Sequence, residues 1–173
     1  MKRWGGQNGF TIVELLIVIV VIAVLAAIVV VAYSGIQSRA QQTKIQSDLA
    51  QLEKAINVAR IQSGKTLWGI TGGPGVTADA CGSLASGTNM ATLAQTDNCW
   101  VKYNDTLDKI STAGGVNIRN MKDPWGRPYW IYENEGRATP TDCTKDTIAT
   151  FLNPHVQWSA ENIRNVSNSL SGC

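Results

Sequence analysis

The sequence contains few residues whose types and spacing suit catalysis. His155 is the one histidine of the chain, and it lies between Pro154 and Val156 with no nucleophile motif, second base or metal-binding cluster beside it. General acid–base and triad chemistry each require at least two such groups held together. The inventory therefore argues against an enzyme and predicts neither a cofactor nor a bound metal.

The cysteines suit structural chemistry better than catalysis. No two of them form a Cys-x-x-Cys pair, the spacing that metal sites and redox motifs use. An even number in a segment that follows an apolar stretch is typical of disulfides in an oxidising compartment. Four cysteines allow three connectivities, and we favour Cys81–Cys99 together with Cys143–Cys173.

Glu14 is the most unusual ionisable residue, because it lies inside an apolar stretch. Leu15 to Ala32 holds eighteen residues without a charged or strongly polar side chain, and Phe10 to Val13 extend the stretch on the other side of Glu14. About 20 apolar residues suffice for a helix to cross a bilayer. A carboxylate at that depth costs about 2.5 to 3.5 kcal/mol on insertion scales, so Glu14 is expected to have a partner or a purpose.

The residues around Glu14 carry a resemblance to a known family. The sequence GFTIVELL at residues 9–16 follows a short head that contains Lys2 and Arg3. It resembles the class III signal of type IV pilins and of the pseudopilins of type II secretion. The resemblance implies that a prepilin peptidase cuts after Gly9 and methylates the new amino terminus at Phe10. An uncleaved signal anchor, with Glu14 reaching up to the interface, is the alternative.

The same resemblance implies a role in assembly for Glu14, together with Thr11. In that family the carboxylate pairs with the terminal amine of a neighbouring subunit, which neutralises a buried charge when the subunit docks. The expected product is a homo-oligomeric helical filament, built by a pilus or secretion assembly platform in the cytoplasmic membrane.

A long helix must position these residues, and the pattern predicts one from Phe10 to Gln62. Its second half has an apolar stripe at helical spacing, formed by Ile45, Leu49, Leu52, Ile56 and Ala59. The opposite, polar face carries Lys44, Asp48, Lys54 and Arg60. Many pilins have a helix-breaking proline near the position of Val31, and this chain has none there.

The expected domain organisation follows from these segments. Residues 1–9 form the leader, 10–38 the transmembrane and filament-core part of the helix, 39–63 its amphipathic half, and 64–173 a globular head. The resemblance implies an α+β, pilin-like fold, in which one long N-terminal helix packs on a small antiparallel β-sheet head with disulfide-bounded loops.

Within the head, residues 64–103 are rich in small and polar residues and predict a loop-rich connector, in which Trp68 is the tryptophan most expected to be exposed. A short helix is expected from Asn104–Asp105 to Ile110. Residues 121–158 predict a sheet with strands at 129–132, 147–151 and 156–158. Residues 159–173 predict a last helix capped by Ser159.

Two polar segments of the head bear on function. Asp123-Pro124-Trp125-Gly126 has residues that favour a type I turn, and residues 123–129 resemble the Asp-Pro-Trp-Gly-x-Pro-Tyr stretch of major pseudopilins. The acid-rich calcium loop of those pseudopilins has no counterpart here. Asp142 and Asp146 are interpreted as part of a solvated turn.

The function expected from the sequence is that of a major pilin. The precursor would sit in the inner membrane with its amino terminus in the cytoplasm, and the mature head would be extracellular or periplasmic. A pseudopilin, and a minor pilin that acts as an adhesin or DNA-uptake receptor, are the alternatives. After Gly9 the chain has 13 basic and 13 acidic residues, a balance that argues against broad DNA binding.

Overall fold

The computed structural model describes residues 9–73, 76–135 and 143–167, which contain four α-helices and one three-stranded sheet. The helices are α1 (Ile12–Ser63), α2 (Leu67–Thr71), α3 (Val76–Gly82) and α4 (Asn98–Gly114), and a 3-10 turn spans Met90–Thr92. The strands are β1 (Tyr129–Tyr132), β2 (Thr147–Phe151) and β3 (Ala160–Asn165), which pair antiparallel in the order β1-β2-β3. The predicted α+β, pilin-like fold is confirmed.

The contacts divide the chain into two compact units between Gln42 and Thr43. The first unit contains the amino-terminal part of α1. Within the described residues, α1 is the one helix long and apolar enough to cross a membrane, and none of its most apolar window is buried in the protein. The second unit contains the rest of α1 and all the other elements.

The core of the second unit forms on the apolar stripe of α1. The five predicted stripe residues are all at most 1% exposed. A matching stripe on α4, spaced by three, four and three residues, is equally buried and consists of Trp100, Tyr103, Leu107 and Ile110. The two helices approach closely at Gly114, where an added Cβ would lie 3.1 Å from the backbone nitrogen of Ala59. Tyr129 and Ile131 of β1 join the same cluster.

The predicted loop-rich connector is wrong over much of its length. Residues 64–103 contain α2, α3, the 3-10 turn and the first residues of α4. The predicted helix from Asn104 begins six residues earlier, because the Asp97 side chain accepts a hydrogen bond from Cys99 N and caps α4 there. The apolar residues of α4 have helical spacing in the sequence. The turn-forming residues before them, however, favour a loop and hide the start of the helix.

Two predictions near the carboxyl end are also wrong. The third strand is not at residues 156–158 but at Ala160–Asn165, the segment for which a helix capped by Ser159 was predicted. Residues 160–165 form a strand because β2 has a free edge with which they can pair, whereas an isolated helix of about 15 residues or fewer is marginal in water. On this strand Ile163 is 64% exposed, whereas Val166, which directly follows the strand, is completely buried.

The predicted exposure of the tryptophans is wrong as well. Trp68 has an intermediate exposure, whereas Trp158 is 54% exposed. Trp158 has a left-handed backbone with φ of 58°, which is uncommon for a bulky residue. Its backbone N–H donates to Gly82 O at 3.0 Å, which fixes the loop after β2 against the end of α3.

Candidate functional site

The amino-terminal segment is the first candidate site, because the predicted processing residues lie just outside the helix. Gly9, Phe10 and Thr11 are not helical, and α1 begins at Ile12. The Phe10 side chain is 85% exposed. A peptide bond between Gly9 and Phe10 is therefore on non-helical, accessible backbone.

Thr11 and Glu14 form a reciprocal cap at the start of α1. Glu14 Oε2 accepts hydrogen bonds from Thr11 N and from Thr11 Oγ1, each at 2.8 Å. Glu14 N donates to Thr11 Oγ1 at 3.2 Å. This is a capping box, in which two backbone N–H groups of the first turn are satisfied by two side chains.

The capping box is a feature that the sequence analysis missed. The signal was present, since Thr-x-x-Glu immediately before an apolar stretch is the sequence pattern of a capping box. The structure gives the Glu14 carboxylate a partner within its own chain, where the sequence analysis looked only to another subunit.

The surface that follows Glu14 is apolar and continuous. Leu16 is 55% exposed, Leu25 57% and Ile28 62%, and the side chains between them are similarly exposed. A soluble monomer rarely exposes an apolar patch larger than a few hundred Å². This part of α1 therefore requires a covering that the described residues of the chain do not supply.

One protein-family model matches this segment. The family model described as the prokaryotic N-terminal methylation motif matches residues 4–30. The chain carries a class III, prepilin-type signal peptide. No curated protein and no solved structure matches the chain significantly.

The match supports a type IV pilin-like or pseudopilin precursor. It implies processing by a prepilin peptidase and assembly into a pilus-like filament. Together with the apolar helix, it fits a precursor anchored in the inner membrane and later present in a surface filament. The match ends within α1 and does not include any residue of the head.

In the head, a buried cluster of charges joins α1 to the sheet. Arg60 Nη2 pairs with Asp146 Oδ2 and, at 3.0 Å, with Glu135 Oε2. Asp146 Oδ1 accepts from the backbone N–H groups of Asn134, at 2.6 Å, and Glu135, at 2.8 Å. Arg60 Nη1 donates to Ser167 O. We call Arg60, Glu135 and Asp146 the Arg60 cluster.

The Arg60 cluster corrects two predictions. Arg60 was placed on the polar face of the helix, yet it is 4% exposed, and Asp146, interpreted as part of a solvated turn, is completely buried. Both residues are buried because they neutralise each other, which single-residue polarity does not reveal. Burial raises the pKa of the Asp146 carboxyl, while Arg60 and the two backbone N–H donors oppose that rise. Asp142 lies outside the described residues.

Asp48, also predicted on the polar face, is a second buried acid on α1. It is 8% exposed, pairs with Lys44 and accepts a hydrogen bond from the Tyr129 hydroxyl of β1. Burial, with the adjacent Asp48, raises the pKa of Tyr129 well above its usual range. The polar face of α1 is thus part of its attachment to the sheet.

The predicted disulfide between Cys81 and Cys99 is present. It joins the end of α3 to the first turn of α4, and both residues are completely buried. In the chain-entropy account, a loop of this length stabilises the fold by about 3 kcal/mol. The predicted bond between Cys143 and Cys173 ends outside the described residues and stays a prediction.

The segment that resembles pseudopilins forms the predicted turn. Gly126 N donates to Asp123 O at 3.0 Å, and Asp123 Oδ1 accepts from the backbone N–H of Trp125 and of Arg127, at 2.9 and 2.8 Å. Arg127 Nε donates to Asp123 Oδ2 at 2.7 Å, and both side chains are nearly buried. Asp123 therefore organises the turn and holds Arg127 in place.

His155, the one histidine, lies on the loop between β2 and β3. Its Nε2 is 3.1 Å from Leu84 O, and the residue is 3% exposed. Burial lowers the pKa of His155; the Leu84 carbonyl opposes this, and the positive charge of Arg127 adds to it. A neutral imidazole that bonds to a backbone carbonyl is an arrangement for packing rather than for acid–base catalysis.

Proposed function

We propose that this chain is the major structural subunit of a type IV pilus-like filament. In this proposal the precursor is inserted in the inner membrane with its amino terminus in the cytoplasm, cleaved after Gly9, methylated at Phe10 and packed through α1 into a helical array. The observation that carries the proposal is the apolar surface of α1. The large apolar side chains from Phe10 to Val30 are all at least half exposed, and the methylation motif that matches residues 4–30 covers the same segment.

The local structure around residue 9 supports the processing step. Gly9 and Phe10 are exposed and precede the first helical residue, so a peptidase can bind this backbone in an extended form without unwinding α1. Cleavage at this bond would remove Lys2 and Arg3 and place a new positive charge on Phe10. That charge would lie four residues from Glu14.

The capping box supports a defined role for Glu14 in assembly. Before docking, the carboxylate is held by Thr11 of its own chain, which reduces the cost of placing it near lipid. After docking, it would meet the methylated amine of a neighbouring Phe10, a charged partner that binds a carboxylate more strongly than a neutral donor does. Glu14 would therefore favour the assembled state without leaving the monomer unpaired.

A pseudopilin of a type II secretion system is the second candidate. It is favoured by the turn at residues 123–129, which resembles the corresponding stretch of major pseudopilins and is well ordered by Asp123. Both candidates share the processing and the packing of α1. They differ in the abundance of the subunit and in whether the filament leaves the cell surface.

The decisive experiment is to shear filaments from cells of the source organism and quantify this chain by mass spectrometry, in the sheared fraction and in the membrane. The amino-terminal peptide is read in the same run. We expect this chain to dominate the sheared filaments and to begin with methylated Phe10. A Gly9→Val variant serves as the control, since blocked cleavage should leave the chain in the membrane.

Other outcomes separate the alternatives. A cleaved chain that stays with the membrane at modest abundance would favour the pseudopilin. A cleaved chain present in trace amounts in filaments dominated by another subunit would favour a minor pilin, whose role in adhesion or DNA uptake would then need testing. An intact Met1-to-Gly9 leader in assembled filaments would refute the proposal.

A further inference from the structure

The head contains a cavity of about 390 Å³ at the meeting point of three loops. It is lined by residues 87–89 and Ala91 after α3, by Trp125 and Arg127 of the Asp123 turn, and by residues 153–155 after β2. The volume lies within the range of small-molecule sites. None of the lining residues belongs to α1, so the cavity is independent of the surface proposed for assembly.

Hydrogen bonds hold the loops around the cavity against one another. Gly87 N donates to His155 O at 2.7 Å, and Gln157 N donates to Ser86 Oγ at 3.1 Å. Gln157 Nε2 donates to Ser83 O at 2.9 Å. The Cys81–Cys99 bond holds the first of these loops at both of its ends. Because the loop backbones are held in this way, binding needs side-chain movement only, which limits the entropic cost of ordering.

Two buried nitrogen atoms on the lining residues have no hydrogen-bond partner among the residues that the structure describes. Arg127 uses Nε for Asp123 and Nη1 for Leu152 O, whereas its Nη2 has none. His155 uses Nε2 for Leu84 O, whereas its Nδ1 has none. Buried polar atoms are nearly always paired, so two such atoms on neighbouring residues that line one cavity indicate a hydrogen-bonding partner that the described residues do not supply.

The two atoms have opposite hydrogen-bonding character. A backbone carbonyl only accepts, so the His155 Nε2 that faces Leu84 O carries the proton, and Nδ1 is left as an acceptor. Arg127 Nη2 is a donor. A hydroxyl group satisfies both, because it accepts from one atom and donates to the other. A carboxylate would bring a lone pair against Nδ1, and an ammonium group would bring a proton against Nη2.

The rest of the lining suits a ring that carries several hydroxyl groups. Trp125 is half-buried and packs over the Arg127 guanidinium, 4.8 Å from the guanidinium carbon to the ring centroid. Its remaining surface offers an apolar wall. Asn89 uses its side-chain oxygen to cap the 3-10 turn, at 3.2 Å from Ala91 N, which leaves its amide hydrogens for another acceptor. Asn153 adds a second, exposed amide.

We propose that this cavity binds a neutral pyranose sugar, with one hydroxyl group between Arg127 Nη2 and His155 Nδ1 and the ring against Trp125. Both nitrogens are shielded from solvent, so lining side chains move when the hydroxyl enters, while the loop backbones stay in place. The head then carries a ligand-binding activity in addition to its place in a filament.

The test uses the full chain in a zwitterionic detergent without sugar groups, because alkyl glycosides would compete for the cavity. Glucose, galactose, mannose and N-acetylglucosamine are titrated separately, and the indole resonance of Trp125 is followed by NMR after its assignment with Trp125→Phe. We expect at least one sugar to shift this resonance saturably. Trp125→Ala should weaken binding about fivefold or more, measured by saturation transfer to the sugar.

Trp158→Ala is the matched control, since Trp158 is the more exposed tryptophan and does not line the cavity; it should leave the affinity unchanged. If Trp125→Ala lowers the unfolding midpoint, Asn153→Ala replaces it, because that side chain is exposed. No shift with any of the four sugars would overturn the proposal. So would equal affinity in the wall variants, or saturation by acetate in place of sugar.

Discussion

The two parts of α1 use the same helix in opposite ways. In the first unit the apolar side chains are exposed, as for Leu25 at 57%, whereas in the second unit Leu52 is completely buried. The apolar side chains of the first part therefore need a membrane or other subunits to cover them. Those of the second part are covered by the core of the head. Substitutions in the first part should change assembly and leave the stability of the head alone, and those in the second should do the reverse.

The largest effect is expected for Glu14→Gln. Glutamine can still complete the capping box with Thr11, but it cannot pair with a terminal amine as a charge. We expect the yield of sheared filaments to fall about tenfold or more, with an unchanged unfolding midpoint of the head.

Thr11→Ala is the matched variant for Glu14→Gln, because it removes the cap, at a cost of about 1 kcal/mol, and keeps the charge. Its filament yield should fall much less. Equal losses in the two variants would mean that Glu14 acts through the helix start and not through a charged partner.

Arg60→Leu tests the second part of α1. This substitution removes the guanidinium that pairs with both Glu135 and Asp146, while the two carboxylates stay buried. Breaking a buried ion pair in this way lowers the free energy of unfolding by about 3 to 5 kcal/mol. The measurement is the free energy of unfolding of the full chain in detergent, from denaturant titration followed by tryptophan fluorescence.

Arg164→Leu provides the comparison for Arg60→Leu. Arg164 pairs with Glu53 at 2.8 Å, with the two side chains 35% and 27% exposed, and a partly exposed pair contributes about 1 kcal/mol or less. Asp146→Asn, which keeps an oxygen for the backbone N–H groups of Asn134 and Glu135, should fall between the two. Similar values for Arg60→Leu and Arg164→Leu would show that the Arg60 cluster is not a major source of stability.

One substitution, glycine to alanine, should have opposite effects in the two parts. At Gly114 the new Cβ would lie 3.1 Å from Ala59 N and 3.3 Å from Ala59 Cα, so the helices must separate. After the better helix propensity of alanine is allowed for, we expect a loss of about 1 to 2 kcal/mol in the stability of the head.

At Gly35 an added Cβ meets nothing within 4 Å. Alanine there should stabilise the helix by up to about 1 kcal/mol and leave the unfolding of the head unchanged. Circular dichroism of the full chain gives the helicity, and fluorescence gives the unfolding of the head. A stable Gly114→Ala head would argue against the tight packing of α4 on α1.

The smallest effect concerns pH and the loop after β2. Burial keeps the pKa of His155 below its unfolded value, so as pH falls the unfolded chain takes up the proton first. Stability contributed by the neutral ring is complete above the unfolded pKa and is lost as pH decreases through and below it.

His155→Gln can still donate to Leu84 O but does not titrate in this range. We expect the natural chain to lose more unfolding free energy than His155→Gln between pH 7.5 and pH 5, two conditions that bracket the ordinary pKa of about 6.5. Taking the difference between the two proteins cancels the titration of other groups, including Asp146. A larger loss in His155→Gln would reverse the assignment.

The elements that could be predicted from the sequence are those with a strong local signal. The apolar stripe of α1, the strands β1 and β2 and the turn at Asp123 were all visible as spacing or composition. The start of α4 and the position of β3 were not, because a cap at Asp97 and the free edge of β2 decide them. The conformational propensity of a segment carries no information about a contact with residues that are distant in sequence.

The candidate site was predicted unevenly for a similar reason. Gly9, Phe10 and Glu14 stand out because their motif is contiguous, and the roles assigned to them stay proposals. Arg60 and Asp146 were taken for surface residues, since a charged side chain predicts exposure unless its partner is known. The cavity beside Trp125 has no sequence signal, because it needs three loops that only the fold brings together.

The capping box has one more consequence, for the order of events in maturation. Thr11, Glu14 and every residue of α1 lie on the carboxyl side of the proposed cut, so the helix owes none of its first turn to the leader. Formation of the helix therefore does not depend on removal of the leader. The cut would alter the charge and length of the subunit while its helix is already complete, and the released product would need no refolding before it entered a filament.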